Sequence, residues 1–213
     1  MKQLTTTMFL TLFLLAHSAY SQNIELPAPD NSGGIPLMEA LNKRQSNRAF
    51  SSQALSLQDV SDLCWAAWGF NRDDKRTAPS SQNKQEMELY VFLEKGIYKY
   101  NAEQHMLELL KKGDFRKHAG LQDFVATAPL NFVYVSDLSK AGVERPEDIT
   151  TESLIPSHAN SGFMAQNVYL TAASKNLGCV IRAWVDADDL HKTLNLNPMQ
   201  KALYGQTVGY REQ

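Results

Sequence analysis

Ala40-Leu41-Asn42-Lys43-Arg44-Gln45-Ser46-Asn47-Arg48-Ala49-Phe50 and, further on, Ala78-Pro79-Ser80-Ser81-Gln82-Asn83-Lys84-Gln85 carry most of the information in this chain. The first stretch begins on the apolar face of a short helix and ends in two guanidinium groups around a hydroxyl. Arg44 and Arg48 stand at i, i+4, so a helix or its last turn points them the same way, with Ser46 between. Planar guanidinium forks and a hydroxyl suit a phosphate. A solvated basic helix end, favourable to the helix dipole, is the alternative for this stretch alone. The second stretch is a polar, proline-started loop whose hydroxyls and amides can follow the edge of a planar heterocycle. Together the two stretches favour the ligand-binding reading.

Working outward, 213 residues suit one domain, long enough to bury roughly 70% of the surface its unfolded chain exposes. A net charge of −2 argues against a nucleic-acid partner, which usually calls for a clearly basic chain. The N-terminus stands apart. Lys2, the apolar run Met8–Ala16 and the small residues Ala19 and Ser21 read as a cleavable export signal over residues 1–21. A retained interfacial or buried helix is the alternative. Cleavage places the mature protein in the periplasm or outside the cell, with no stable membrane insertion. Cys64 and Cys179 both lie in apolar surroundings, and two buried free thiols are favoured over a disulfide.

Residues 22–34, with Pro27, Pro29 and Gly33-Gly34, read as an extended leader without a fold of its own, ahead of one domain over 35–213. Helical spacing predicts helices from Pro36 to Arg44, from a Ser56 cap to Trp68, near 115–124, over 153–176 and near 188–194. Alternation predicts strands at 87–93, 97–100, 106–110, 130–135, 179–185 and 202–209, the second and third forming a hairpin. The fold class is α+β with three layers, a mixed and mostly antiparallel central sheet flanked by helices. Helix 153–176 is apolar around most of its circumference, which requires burial or a partner chain. His158 on it reads as an interior or interface histidine rather than a ligand.

Several chemistries are not indicated. The histidines lack helical zinc spacing, so no metal site is expected, and there is no Gly-x-Ser-x-Gly elbow or glycine-rich phosphate loop. What remains is a cofactor-type site. Ala40-Leu-x-Lys-Arg-x-Ser-x-Arg-x-Phe50 resembles the N-terminal signature of the FMN-dependent nitroreductases, and Pro79-Ser-Ser-x-Asn-x-Gln85 their second flavin-contacting loop. Leu177-Gly178, Val180-Ile-Arg-Ala-Trp184 and Val208-Gly209-Tyr210 extend the resemblance over residues 36–210. The Gly96–Tyr100 hairpin with Leu107–Leu110 resembles the branch containing the SagB-type dehydrogenases.

That resemblance implies an exported oxidoreductase moving electrons through FMN to or from a small organic substrate. NAD(P)H is one candidate donor, although an exported enzyme cannot count on it. A flavin- or ligand-binding protein on the same fold, without redox turnover, is the alternative. The resemblance places Arg44, Ser46 and Arg48 on the FMN phosphate and Gln45 near the ribityl chain or ring edge. Ser80, Ser81, Asn83 and Gln85 then approach the flavin from the partner subunit of a homodimer. Ile181, Arg182 and Ala183 lie along the flavin N5/O4 edge, with the Arg182 side chain turned toward the ring or out to solvent. No acid–base residue is required of the protein, because the flavin carries the redox chemistry. The chain departs from the family pattern at Glu86 and Met87, where a proline and an aromatic are usual, and at Arg182, commonly Glu or Gly. Many members also continue into a basic tail; here Arg211 is the residue able to stand in for it.

Overall fold

The computed structural model describes residues 23–212; the expected export signal lies outside them. Strand β1 (Ile24–Glu25) is followed by helices α1 (Leu37–Lys43) and α2 (Leu57–Trp68), then the small hairpin β2 (Phe70–Arg72) and β3 (Lys75–Arg76). Next come β4 (Met87–Leu93), β5 (Gly96–Asn101), β6 (Met106–Lys112) and β7 (Leu130–Asp137). Helix α3 (Thr151–Ser174), β8 (Gly178–Arg182), α4 (Ala187–Leu194) and β9 (Gln200–Gly209) complete the chain.

Seven strands form one sheet in the order β1-β6-β5-β4-β7-β9-β8, and each of its pairings is antiparallel. The mostly antiparallel sheet expected from the sequence is present, with every strand pairing among the described residues antiparallel. Alternate side chains serve opposite faces. Leu89, Val91, Phe132, Tyr134 and Cys179 meet Leu63 of α2 and Met164 and Val168 of α3. On the other face Tyr90, Phe92, Val133 and Val135 pack with Val125 and with Leu190 and Leu194 of α4. These are the three layers.

Local chemistry explains the element ends. The Ser56 side chain accepts the Asp59 N–H and caps α2, while Thr150 and Ser153 form a reciprocal capping box at α3. Asn101 Oδ1 accepts the N–H groups of Glu103 and Gln104, turning the chain between β5 and β6.

Three expectations are corrected. The leader is not free of structure: Ile24 pairs with Leu107, Leu26 is buried, and the Asp30 N–H donates to Asp62 at 2.8 Å. Its short apolar residues complete a sheet edge that the sequence pattern of a two-residue strand is too short to announce. The helix expected near 115–124 is instead two 3-10 turns, Arg116–Ala119 and Asp123–Ala126, parted by the extended Gly120. The strand expected over 179–185 stops at Arg182. Cys64 and Cys179 are buried free thiols, and burial pushes the Cys179 thiol up to about 12.

Candidate functional site

Helix α1 ends one residue before the arginine pair. Arg44 has φ −60° and ψ 122°, so the helical i, i+4 relation between Arg44 and Arg48 does not exist. The chain instead runs beside the outer edge of β8, where the Asn47 N–H donates to the Cys179 carbonyl at 2.9 Å and Phe50 bridges to Arg211. Residues two apart still share a side in extended chain. Ser46 Oγ lies 2.8 Å from the Tyr169 hydroxyl, and the Arg44 guanidinium lies 5.3 Å from the centre of the same ring. Arg48 is exposed.

A cavity of about 300 Å³ opens here, lined by Asn42, Lys43, Arg44, Gln45, Asn176 and Arg211. Among the described residues no carboxylate lines it. Lys43 is held by Glu39 at 2.7 Å, leaving the Arg44 and Arg211 guanidinium groups as its free-facing cations. Arg211 donates to the Leu177 carbonyl at 3.4 Å, while its Nε is buried without a partner among the described residues. A buried donor of this kind costs free energy until an acceptor meets it. Gln45 lines the same cavity.

Because β8 closes one end of the sheet, its outer backbone groups need partners from elsewhere. The Cys179 carbonyl takes Asn47, and the Ile181 N–H takes the Tyr169 hydroxyl at 3.0 Å. Ile181 therefore spends its N–H inside the protein. Just past the strand Ala183 is exposed; its carbonyl accepts the Val185 N–H at 3.0 Å, leaving its own N–H without a partner among the described residues.

The Arg182 side chain goes neither toward that edge nor into solvent, correcting both expectations for it. It is 4% exposed and lies against the opposite face of the sheet, donating to the Ala119 carbonyl at 2.9 Å and to Asn131 Oδ1 at 3.2 Å. Gly120 and Gly205 make the channel: a Cβ on them would stand 1.8 Å and 2.9 Å from its Nη atoms. Burial lowers this guanidinium to about 10.

Loop 80–85 is a second, separate construction. Gln82, Asn83 and Gln85 all have positive φ, near 50–55°. Such backbone persists where surrounding bonds enforce it, and it concentrates at functional sites. Here the Ser80 hydroxyl accepts the Gln85 N–H at 3.0 Å, and Gln85 Nε2 donates to the Asp74 carbonyl at 2.7 Å. Asn83 Nδ2 donates to the same carbonyl at 3.3 Å. Ser81 and Asn83 stay exposed. Among the described residues no hydrogen bond joins this loop to the stretch 44–48, and the two line different cavities.

The two departures after the loop are accommodated internally. Glu86 is buried, its Oε1 accepting from Asn160 at 2.7 Å and Ser157 at 3.2 Å on α3, and Met87 packs in the core. His158 is exposed and hydrogen-bonded to Tyr204 at 3.0 Å. Sequence reasoning missed Tyr169, Asn176 and the Arg76 support of the loop. Tyr169 was legible only as one apolar residue of α3; the left-handed Asn176, which follows that helix, had a signal in Asn before Leu177-Gly178.

Known proteins share this fold. A Methanocaldococcus jannaschii protein named "Putative nitroreductase MJ1384" is 31% identical over 170 residues, spanning 74% of this chain and 82% of its own. The solved "putative nitroreductase" of Ralstonia eutropha is 37% identical, covers 90% of each chain and superposes with a TM-score of 0.81. A Desulfovibrio desulfuricans nitroreductase-type structure determined in complex with FMN shares the fold at 21% identity and a TM-score of 0.59, over 85% of this chain and 89% of its own. The family model "Nitroreductase family" matches residues 41–210, and the chain belongs to that family.

Proposed function

We propose that the protein is an FMN-dependent oxidoreductase that works as a homodimer on a small organic substrate. The observation carrying this reading is the cavity beside the edge of β8, faced by Arg44 and Arg211 and lined by no carboxylate among the described residues. The buried, unpartnered Arg211 Nε fits an anionic group held there. In this reading Arg44, Ser46, Arg48 and Arg211 hold the phosphate, Gln45 flanks the ribityl chain, and Ala183 faces the ring edge. FMN supplies the two-electron chemistry when bound. The protein's part is to bind, orient and shield.

The dimer is supported by apolar surface that the single chain leaves uncovered. Ile155 and Phe163 on α3 are 60% and 47% exposed, and Leu37, Met38 and Leu41 on α1 are exposed as well. Several large apolar side chains exposed on two helices packed together fit association. A partner would bring its own Ser80, Ser81, Asn83 and Gln85 to the ring. The N-terminal run favours action in the periplasm or outside the cell, so a quinol or redox protein is proposed as donor alongside NAD(P)H. The strands β5 and β6 are what supports placing the chain near the SagB-type dehydrogenases.

The absorption spectrum of the purified mature protein tests the reading, followed by mass identification of any released flavin. A yellow protein releasing FMN, bleached by a reductant and restored by an acceptor, is the expected result. A colourless protein that takes up no FMN overturns it.

A further inference from the structure

Tyr169 stands at a junction that nothing in the family signature marks. It projects from α3, is 7% exposed, and its single hydroxyl serves two elements. The oxygen accepts the Ile181 N–H of β8 at 3.0 Å and pairs with Ser46 Oγ at 2.8 Å. The Arg44 guanidinium sits 5.3 Å from its ring centre. One phenol therefore links the stretch proposed to hold the phosphate to the strand proposed to face the ring.

We propose that Tyr169 is a positioning residue that couples the two ends of the flavin site, so that the geometry of Ser46 and the geometry of β8 are set together. The inference rests on the flavin reading above and deepens it. Its physical basis is that an edge strand lacks a neighbouring strand to fix its outer side. Tyr169 supplies one fixed acceptor there, two residues before Ala183. Ser46 in turn holds the phenol, because a hydroxyl that accepts one bond and shares a second has little freedom left to rotate. Loss of either member loosens both ends, including the end that a phosphate never touches.

Riboflavin, which has the ring and ribityl chain but no phosphate, separates this idea from simple phosphate binding. Tyr169→Phe keeps the ring and its contact with Arg44 and removes only the hydroxyl. Ser46→Ala alters an exposed side chain and serves should Tyr169→Phe fail to fold. Dissociation constants for FMN and riboflavin would be read by flavin fluorescence, with thermal unfolding of the flavin-free proteins as the control on folding. Each variant should weaken riboflavin roughly three- to tenfold, the scale of one net hydrogen bond, without a matching loss of flavin-free stability. Riboflavin affinity unchanged in either folded variant overturns the coupling while leaving the flavin reading intact. A wild-type protein that binds neither flavin overturns both.

Discussion

Arg76 donates from Nε to Gln85 Oε1 at 2.8 Å while its guanidinium lies 3.9 Å from the centre of the Phe70 ring. Nη1 also reaches the Trp68 carbonyl at 3.1 Å. A side chain of the β2–β3 hairpin thus holds the last of three left-handed residues in loop 80–85. Charge-assisted and cation–π contacts of this kind contribute about 1–3 kcal/mol. Arg76→Met should lower stability within that range and release the loop. Trypsin cleavage after the exposed Lys84 is the readout: faster cutting there is expected, and an unchanged rate contradicts the clamp.

The phosphate assignment is tested at Arg44. Arg44→Ala removes a charge-assisted contact worth ~1.5–3 kcal/mol, so FMN affinity should fall roughly 10- to 100-fold. Arg211→Ala should act in the same direction, because its Nε is buried beside the same cavity without a partner. Fluorescence titration gives both values. Undiminished FMN occupancy in a folded Arg44→Ala, Arg48→Ala double variant would reject the clamp.

Association is tested at Phe163. Phe163 is half exposed in the single chain, so a carboxylate there reaches water, yet in a dimer packed through α3 it would be buried without a partner. Phe163→Asp should therefore sediment at the mass of one chain, against two for the wild type. A wild-type protein that runs as a monomer at micromolar concentration contradicts the homodimer.

Lys175 joins α2 to the end of α3 through Asp62 at 2.6 Å and Asp59 at 3.0 Å. For Asp59, burial raises the pKa, but hydrogen bonds from Ser56 and Lys175 outweigh it and leave the carboxyl below its ordinary 3.8. Burial lowers Lys175, and bonds to Asp62 and Asp59 outweigh it, leaving the amine above 10.5. The depressed acid contributes stability above pH 3.8 that is lost as pH falls through its folded value. The raised base contributes stability below pH 10.5 that is lost as pH rises through its own. Lys175→Met should thus cost about 1–3 kcal/mol near neutrality, with the deficit shrinking below pH 3.8 and above 10.5. Urea unfolding at three pH values measures it; a deficit independent of pH contradicts the ion-pair account.

The long apolar runs and the capped helices were legible because their signals are local. Strands β4 and β7 announced themselves by composition, and Ser56 by its place before a helical repeat. The helical relation read between Arg44 and Arg48 is replaced by an extended run, in which Arg44 lines the cavity, Ser46 meets Tyr169 and Arg48 is exposed. Arg182 was misread because its surroundings come from Gly120, Asn131 and Gly205, all distant in sequence. Tyr169 was hidden for the same reason: its two hydrogen-bond partners lie 123 residues upstream and 12 downstream.

The two ends of the sheet are finished differently. At β6, the pairing of Ile24 and Glu25 ends the sheet, and Lys111 and Lys112 stand on the stretch beyond it. Charged residues on an outer strand discourage another chain from adding to it. At β8, Asn47 and Tyr169 cap the first part; beyond Ile181 the Ala183 and Trp184 carbonyls accept Val185 and Leu121, while the Ala183 N–H has no partner among the described residues. An unguarded strand end invites a second polypeptide as readily as a cofactor. Production of this protein in flavin-starved cells should therefore give more insoluble material than production with flavin in excess, the ligand acting as the missing guard.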